Sequence, residues 1–445
     1  MGLVLLQFPP FLSYLLPLLI LAIMNKNYLV FVFLFCFFIS NISGQTTLIP
    51  DLNFEQALID LNIDSDNTIN QSVATDDISG ITNLAIYNKG IADLTGIQDF
   101  ISLTQLNCGS NQVTSIDLSQ NIALEKLYCA NNTLLTSIDV SLNTALWLLN
   151  IANSQISDID LSNNLALKEF SCQNSEFSSI DASNNTALTW LKCDYNMLTN
   201  LDLSQNLALT DLYCNNNPLT NLVVNNNINL RNLICYSTGL TSIDVSQNTA
   251  LINLNCYSNL LTNIDVSNNT NLMQLRCYNN QITSLDLSLN TALTSLFCYD
   301  NLLTSLDVKN GNNTSLIFFN AENNNALECI QVDDETAANT SQASYANWVK
   351  DAVAFYSEDC ESALSVEEEL LEQGLSYYPN PVHDVLTINS KIPLTKVELY
   401  SILGKKVKEI SSEFETISVN DLSDGIYLVK IESELGIVFK RLIKK

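Results

Sequence analysis

Four tyrosines follow one another at a constant interval along the chain: Tyr236, Tyr257, Tyr278 and Tyr299. Each comes directly after a cysteine. Tyr213 and Phe297 come directly before cysteines of the same series, and Trp190 comes three residues before one. Aromatic side chains on one exposed face form an amphipathic surface that can contact sugar rings or peptides. Because aromatic neighbours also stabilise adjacent strands by packing alone, these seven residues predict either a ligand-binding face or a packing ladder.

Nine of the twelve cysteines occupy one position of this repeat. They are Cys108, Cys129, Cys172, Cys193, Cys214, Cys235, Cys256, Cys277 and Cys298. Parallel strands in register hold neighbouring Cβ atoms about 4.8 Å apart, whereas a disulfide requires about 3.8 Å. C-x₂-C pairs and histidines, which are typical of zinc sites, are absent from this part of the sequence. We therefore expect a ladder of buried thiols that act as small apolar side chains.

Two polar columns accompany the cysteines. The first consists of Asn121, Asn143, Asn164, Asn185, Asn206, Asn227, Asn248, Asn269 and Asn290. The second consists of Asp117, Asp139, Asp160, Asp181, Asp202, Asp244, Asp265, Asp286 and Asp307, and is interrupted at Val223. Buried amides can satisfy backbone groups at a tight corner. Stacked carboxylates repel one another, so either Ser and Thr hydroxyls with water, or divalent cations, must offset their charge.

One segment before the repeats resembles the first part of an EF-hand or dockerin calcium loop. From Asn62 to Ile69, oxygen-bearing side chains alternate, a turn-forming residue is sixth and an apolar residue is eighth. The twelfth position holds Val73 instead of glutamate. Two expectations therefore stay open: a Ca²⁺ site with Asp64 and Asp66 among its ligands, or a turn held by Asx hydrogen bonds. No other cofactor is expected.

The sequence contains few of the patterns that catalysis requires. Its one histidine, His383, lies outside the repeats, and the motifs G-x-S-x-G and H-E-x-x-H and Gly-rich phosphate loops are absent. A hydrolase with paired carboxylates is an alternative because aspartates are abundant. However, repeated positions supply equivalent carboxylates rather than two with different environments. We therefore expect no enzymatic activity.

The elements that must position these columns are short repeated strands. From about Ile81 to Leu327 the frame L-x-x-L-x-L/C-x-x-N recurs at the interval of the cysteines, which gives twelve coils. A period of roughly 20–29 residues in this frame is the leucine-rich-repeat signature, in which a coil buries its apolar residues only by stacking on its neighbours. L-x-C is expected to be a strand with Leu and Cys inward, and the second half of each coil a further strand or extended turn. The predicted fold is a β-rich solenoid.

Segments on either side of the repeats complete the predicted domain plan. The boundaries are 1–45 for a signal region, 46–80 for an N-terminal cap, 81–330 for the solenoid, 331–361 for a C-terminal cap, 362–374 for an acidic linker and 375–445 for a small antiparallel β-sandwich. Asp51 or Asn53 is expected to begin a cap helix with an apolar stripe of Phe54, Leu58 and Leu61.

Of the three cysteines outside the ladder, Cys36 lies in the predicted signal region, and Cys329 and Cys360 follow the repeats. Because the chain is expected to be exported, we predict a disulfide between the latter two that fixes the C-terminal cap.

The first 45 residues indicate export. An apolar run from Tyr28 to Ile39 follows Lys26 and precedes small residues near Gly44, as in a secretory signal peptide. The uncharged run before it favours Met24 as the true start, with a membrane anchor as the alternative. Residues 46–374 contain 8 basic and 38 acidic residues. This balance argues against a nucleic-acid partner, whose phosphates require a basic footprint.

Four blocks near the C-terminus resemble the type A C-terminal sorting domain of the bacterial type IX secretion system. They contain Tyr378-Pro379-Asn380-Pro381, Gly404, Gly425 with Tyr427, and Lys440. The repeats and caps also resemble the leucine-rich-repeat surface proteins that carry this tail. The resemblance implies recognition of residues 375–445 by the secretion machinery, removal of the tail and attachment to the outer cell surface. The expected function is adhesion or binding of a glycan, peptide or protein on the strand face; a structural spacer is the alternative.

Overall fold

The computed structural model describes residues 45–360, 374–401, 405–434 and 436–445. The predicted signal region up to residue 44, residues 362–373 of the predicted linker and Gly404 lie outside these ranges. The chain divides into two units, Met1–Met197 and Leu198–Lys445. Six of the twelve predicted coils lie in each unit, and the coils of both units contribute parallel strands of three residues.

The N-terminal cap combines a strand pair with a short helix. Strands β1 (Thr46–Leu48) and β2 (Ser72–Ala74) pair antiparallel, and helices α1 (Leu52–Asp60) and α2 (Thr75–Ile78) follow them, with a 3₁₀ turn at Ile97–Asp99. The Asp51 carboxylate accepts the N–H groups of Asn53 and Phe54 at 2.8 and 3.0 Å, so Asp51 is the N-cap. Phe54 and Leu58 are buried, but Leu61 is 41% exposed because the helix ends at Asp60. The predicted apolar stripe is therefore one residue too long.

The coils of the first unit pair in register. Their strands are β3 (Asn83–Ala85), β4 (Gln105–Asn107), β5 (Lys126–Tyr128), β6 (Leu148–Asn150), β7 (Glu169–Ser171) and β8 (Trp190–Lys192). The central residue of each strand is buried, and the residues on either side are at the surface in most coils. This alternation follows from the two-residue period of a strand.

The second unit repeats this sheet and adds another. Its first sheet contains β9 (Asp211–Tyr213), β10 (Asn232–Ile234), β11 (Asn253–Asn255), β12 (Gln274–Arg276), β14 (Ser295–Phe297) and β16 (Phe318–Asn320). The other contains β13 (Ser284–Asp286), β15 (Ser305–Asp307), β17 (Cys329–Gln331) and β18 (Phe355–Ser357). Within the described coils, the second half forms a strand at β13, β15 and β17 and is an extended turn elsewhere.

The strands end one residue earlier than predicted, immediately before the cysteine position. The cysteine still points inward, and its N–H still bonds to the next coil, as from Cys235 to the Asn255 carbonyl at 2.9 Å. Two residues after this position every coil has a left-handed residue, with φ between 52° and 61°. These twelve residues are mainly Asn, Ser and Asp, of which Asn and Asp are the side chains that tolerate this conformation best. They turn the chain away from the strand.

The asparagine column is buried at the corner of each coil. The Asn248 side chain donates to the carbonyls of Val224 and Asn227 in the preceding coil, at 2.9 and 2.8 Å. Backbone groups at a buried corner must be paired, and the amide supplies donors that an apolar side chain lacks. The same pattern recurs in both units, for example at Asn164 in the first.

A cap of aromatic side chains covers the last coil. It contains helix α3 (Glu335–Asn339) and 3₁₀ turns at Asn313–Ser315 and Ala343–Asn347. The Trp348 ring stacks on Phe319 with centroids 4.3 Å apart, and contacts Tyr345 and Tyr356. The Trp348 indole N–H donates to the Leu316 carbonyl at 2.9 Å. These contacts protect from water the apolar side chains that no further coil covers.

The C-terminal residues form two antiparallel sheets around an apolar core, as predicted. One sheet contains β19 (Leu375–Tyr378), β20 (Val385–Ser390) and β23 (Ile417–Ser418), and the other contains β21 (Leu394–Ser401), β22 (Lys406–Ile410), β24 (Gly425–Ser433) and β25 (Gly436–Lys444). Leu386, Leu399, Val429 and Leu442 are among the side chains buried in its core.

We predict that replacing Asn248 by alanine lowers the free energy of unfolding by about 2–5 kcal/mol, because two buried carbonyls lose their donor. Gln247→Ala, one residue earlier and exposed, should change it by less than about 0.5 kcal/mol. Urea unfolding followed by circular dichroism measures both. Equal, small effects would contradict a structural role for the column.

Candidate functional site

The four tyrosines form one continuous stack in the second unit. Tyr236, Tyr257, Tyr278 and Tyr299 have ring centroids 4.2, 4.3 and 4.4 Å apart in sequence order, and adjacent rings are parallel to within 9–10°. All four side chains are half-buried. They lie two residues beyond the ends of their strands, next to the left-handed turn, and not on the strands as predicted.

This stacking limits what the column can contact. Neighbouring rings cover both faces of Tyr257 and Tyr278, so a sugar ring cannot lie flat against either residue. Ring edges and hydroxyls remain for a ligand. Burial and, secondarily, hydrogen bonding to Tyr236 raise the pKa of Tyr257, so its hydroxyl stays neutral. The tyrosine column is therefore a ladder of hydroxyls at its outer edge.

A polar row runs beside the tyrosines at the left-handed positions. The Asn279 amide donates to the Ser258 hydroxyl at 3.0 Å, and the Asn323 amide donates to the Asp300 carboxylate at 2.7 Å. Because these side chains form hydrogen bonds with one another, they stabilise the left-handed turns. They also lie beside any ligand that contacts the hydroxyl ladder.

The remaining predicted aromatic residues lie on a different surface. We define the strand face by the strands β3–β12, β14 and β16. It consists of the first and third residues of each of these strands, together with the residue before each strand. Tyr213 and Phe297 are third residues and Trp190 is a first residue. Arg276 lies over the Phe297 ring, with its guanidinium carbon 5.8 Å from the ring centroid. The prediction from sequence thus treated the tyrosine column and the strand face as one surface, although they are two.

The strand face of the first unit interleaves aromatic and charged side chains. The Lys126 ammonium lies 4.8 Å from the centroid of the Trp147 ring, a cation–π contact. Trp147 and Lys168 are adjacent in the ladder, with the Lys168 N–H donating to the Trp147 carbonyl at 2.9 Å. Trp147 and Trp190 are two of the three tryptophans of the chain. The sequence signal was present at Trp147, which comes four residues before an inward position.

Positive charge is concentrated on the strand face. In residues 45–197 this face carries three of the four basic residues and two of the 18 acidic ones. In residues 198–360 it carries two of the four basic residues and one of the 15 acidic ones. The basic residues are Lys126, Lys168, Lys192, Arg231 and Arg276. The remaining surface of both segments is strongly acidic, which makes the strand face electrostatically distinct.

The aspartate column stabilises turns. In most coils the carboxylate accepts the N–H two residues later, as from Ser162 to Asp160 at 2.9 Å. The Ser162 hydroxyl and then its N–H lower the pKa of Asp160. Asp307 differs, because burial raises its pKa. The hydrogen bonds offset much of the repulsion that stacked carboxylates would otherwise generate.

The loop with the predicted calcium ligands lies in the N-terminal cap. Asp64 is buried and Asp66 is exposed. Asp64 accepts the Asp66 N–H at 3.3 Å, and Asp66 accepts the Thr68 N–H at 2.8 Å. These are the Asx hydrogen bonds of the second sequence-based expectation. Asn67, the sixth residue of the loop, is left-handed with φ 53°.

The cysteines fall into the two predicted groups. The nine ladder cysteines are buried thiols, and burial raises the pKa of Cys256 and Cys298 to about 12. Such thiols are poor nucleophiles. Cys329 and Cys360 form a disulfide with a Cα–Cα distance of 5.8 Å, which joins β17 to the residues that follow β18.

The residues of the C-terminal blocks meet along β25. Asn380 donates to the Arg441 carbonyl at 2.8 Å and accepts the Ile443 N–H at 2.9 Å, between the cis prolines Pro379 and Pro381. The Tyr378 hydroxyl accepts from Asn389. The other members lie on the paired strands: Gly425 begins β24, Tyr427 is buried in it, and Lys440 is in β25.

Comparison with known families identifies this C-terminal domain. The family model described as "secretion system C-terminal sorting domain" matches residues 376–445. The chain carries a sorting domain. It is therefore a secreted protein, and the matched residues begin in β19. Among the described residues, no helix has both the length and the apolar character needed to span a membrane.

Comparison with solved structures concerns the coils. The functional domain of InlJ from Listeria monocytogenes, described as including a cysteine ladder, has a TM-score of 0.52 at 23% identity, covering 90% of this chain and 99% of that one. An internalin (inlF) from L. monocytogenes strain 4b F2365 has a TM-score of 0.54 at 22% identity, covering 70% and 99%. A leucine-rich-repeat protein of Leptospira interrogans has a TM-score of 0.53 at 18% identity, covering 66% and 83%. These likenesses establish the leucine-rich-repeat fold.

One curated relative also matches in sequence. Internalin J of L. monocytogenes serotype 4b (strain F2365) is 40% identical over 50 residues, which is 11% of this chain and 6% of the length of that protein. The match thus spans a small part of the relative.

We predict that the double substitution Tyr257→Ala and Tyr278→Ala lowers the free energy of unfolding by about 2–4 kcal/mol, because it removes all three ring pairs. The matched double substitution to phenylalanine keeps the stack and should cost less than about 1 kcal/mol. Urea unfolding distinguishes them. If the alanine variant is as stable as the phenylalanine variant, stacking does not stabilise the solenoid.

Proposed function

We propose that this protein is a non-catalytic binding or adhesion protein that is attached to the outer cell surface. Its ligand is an acidic polysaccharide, bound on the strand face of the solenoid. Export by a type IX secretion system through residues 375–445, followed by removal of this tail, would deliver it there. The sorting domain and the leucine-rich-repeat fold support this class of protein.

The observation that carries the proposal is the segregation of charge. A surface with an excess of carboxylates repels anionic polymers, and the strand face is the part of the solenoid where this repulsion is relieved. Lys126, Lys168 and Lys192 provide cations for carboxylate or sulfate groups. Trp147 and Trp190 add indole rings to this face, and aromatic rings are typical of surfaces that contact sugars.

The small number of basic residues on the strand face favours a polysaccharide over a nucleic acid. Duplex DNA carries one charge per about 1.7 Å of axis and needs many compensating cations. The strand face of the first unit offers three, spread over four coils. A polymer with about one charge per sugar ring fits this sparse pattern better.

The similar environments of most carboxylates in the aspartate column support a binding function without catalysis. A hydrolase needs two carboxyl groups whose environments separate their pKa values. The Asp117 and Asp160 carboxylates bond to the same type of turn and have pKa values lowered for the same reasons. Asp307, whose pKa is raised by burial, is an exception in this repeated row. A binding assay that also measures newly released reducing ends tests this point directly.

We predict opposite effects from two adjacent substitutions on the strand face. Lys168→Gln removes a cation and should weaken binding to polygalacturonate about three- to tenfold, whereas Glu169→Gln removes a repulsive charge and should strengthen it. Affinity electrophoresis with polygalacturonate, dextran sulfate and neutral dextran, at low and moderate salt, measures both. Double-stranded DNA serves as the anionic comparison and should not bind.

Other results would exclude the polysaccharide. Equal retention by neutral dextran would mean that charge plays no part. No retention by any polymer, together with specific capture of a peptide or protein, would assign the strand face to a protein partner. The double Tyr257→Phe, Tyr278→Phe variant tests the hydroxyl ladder. Unchanged affinity for the polymer would mean that the tyrosines only pack against one another. Reduced affinity at unchanged stability would mean that their hydroxyls belong to the binding surface.

We predict that a chain lacking residues 375–445 accumulates in the periplasm of a host with a type IX secretion system. The truncation removes the sorting domain that the machinery recognises. Cell fractionation with immunoblotting against the solenoid measures the location, and the full chain is the control. The truncated chain at the cell surface in normal amounts would contradict the proposed route.

A further inference from the structure

The N-terminal cap buries negative charge without a basic residue of its own. Residues 46–80 contain seven carboxylates and no lysine or arginine. Two of these carboxylates are buried, Glu55 with 0% and Asp64 with 1% of its surface exposed. The nearby Lys89 pairs instead with the exposed Asp60, at 2.9 Å. The buried charge is therefore not neutralised by a lysine or arginine of the cap.

Each buried carboxylate has one oxygen that no protein donor satisfies. Glu55 uses Oε1 to accept the N–H groups of Asn70 and Ser72 at 2.8 and 3.2 Å, while its Oε2 is buried without a donor. Asp64 uses Oδ1 to accept the Asp66 N–H, while its Oδ2 is buried without a donor. Such an oxygen loses its hydration and gains nothing in return, which is costly for a charged group.

Hydrogen bonds place the carboxylates of the cap around one loop. The Asp66 N–H donates to Asp64, the Asn70 side-chain amide donates to Asp66 at 2.8 Å, and the Asn70 N–H donates to Glu55 at 2.8 Å. Asp77 reaches the same loop, because its carboxylate accepts the Ser65 N–H at 3.1 Å. Helix α1, the loop and helix α2 thus bring acidic side chains to the same loop. Repulsion between them would oppose folding of the cap unless a positive charge lies among them.

We infer that the cap binds a calcium ion between helix α1 and the loop of residues 62–70, with Glu55 and Asp64 as ligands. Calcium takes six to eight oxygens, including main-chain and amide oxygens. Such neutral oxygens are needed here, because no group of three or more Asp, Glu, His or Cys side chains in the described chain could hold a metal ion. The carbonyls and the amide or hydroxyl side chains of the loop would supply them.

This ion would connect the first helix to the strand pair that starts the solenoid. Glu55 lies in α1, and its Oε1 already accepts hydrogen bonds from the backbone of Asn70 and Ser72, where the chain enters β2. Binding would therefore stabilise the cap in the calcium-rich extracellular space and leave it less stable in a calcium-poor compartment. The inference is independent of the ligand on the strand face.

Isothermal titration calorimetry of the full chain with CaCl₂, after treatment with EDTA, tests the site. The expected result is one tightly bound Ca²⁺ per chain and an increase in the thermal unfolding temperature on adding Ca²⁺, with Mg²⁺ much less effective. Asp64→Asn and Glu55→Gln should each weaken binding at least tenfold. Asp160→Asn, which removes an exposed carboxylate from the aspartate column, is the matched control and should bind as the original chain does.

The order of stabilities gives a second readout. In EDTA, Asp64→Asn should unfold at a higher temperature than the original chain, because it removes a buried repulsive charge; in Ca²⁺ the order should reverse. If Asp64→Asn fails to fold, Glu55→Gln is used for the affinity measurement. The inference is overturned if no Ca²⁺ binds, if Asp64→Asn retains the original affinity, or if the unfolding temperatures keep the same order in EDTA and Ca²⁺.

Discussion

Pairing of backbone groups between coils is the constraint on which the rest of this protein depends. Each coil turns several times, and every turn leaves carbonyls that the coil cannot satisfy itself. The asparagine column meets this need at one corner. A second set of asparagines does so after the strand, as where Asn259 donates to the carbonyls of Cys235 and Cys256. Since each donor reaches into the preceding coil, a coil is complete only beside another coil. The caps exist because the two end coils lack a neighbour on one side.

The sequence predicted these columns well because each has a fixed residue type at a fixed interval. The number of coils, the inward cysteines, the two-sheet C-terminal domain and the helix begun by Asp51 all follow from local pattern. The strand ends and the left-handed turn were missed. Their signal, an Asn, Ser or Asp two residues after the inward position, was visible in the sequence, but it has meaning only once the turn is known.

The tyrosine column shows what spacing alone does not reveal. The constant interval between the tyrosines predicted an aromatic strip, and the strip exists. Whether its rings lie flat on the surface or stack edge-outward depends on side-chain torsions, which the interval does not determine. The stacked arrangement covers both faces of Tyr257 and Tyr278 and leaves their ring edges and hydroxyls for contact. The carboxylates of the cap were likewise visible as residues, but their burial and their unsatisfied oxygens emerge only when helix α1 packs against the loop.

The register of the strands has a consequence for how such a protein can change in length. Most paired strands of the coils are separated in sequence by the same interval, but the pairs β3–β4 and β5–β6 are one residue further apart, the pair β14–β16 is two residues further apart and the pair β15–β17 is three residues further apart. The extra residues bulge on the turns, and the strand side continues without a shift. Duplication of one coil would therefore add one residue to each of the columns. Over evolutionary time the strand face can grow or shrink in whole steps, and the span of ligand it contacts can change while the chemistry of each step is conserved.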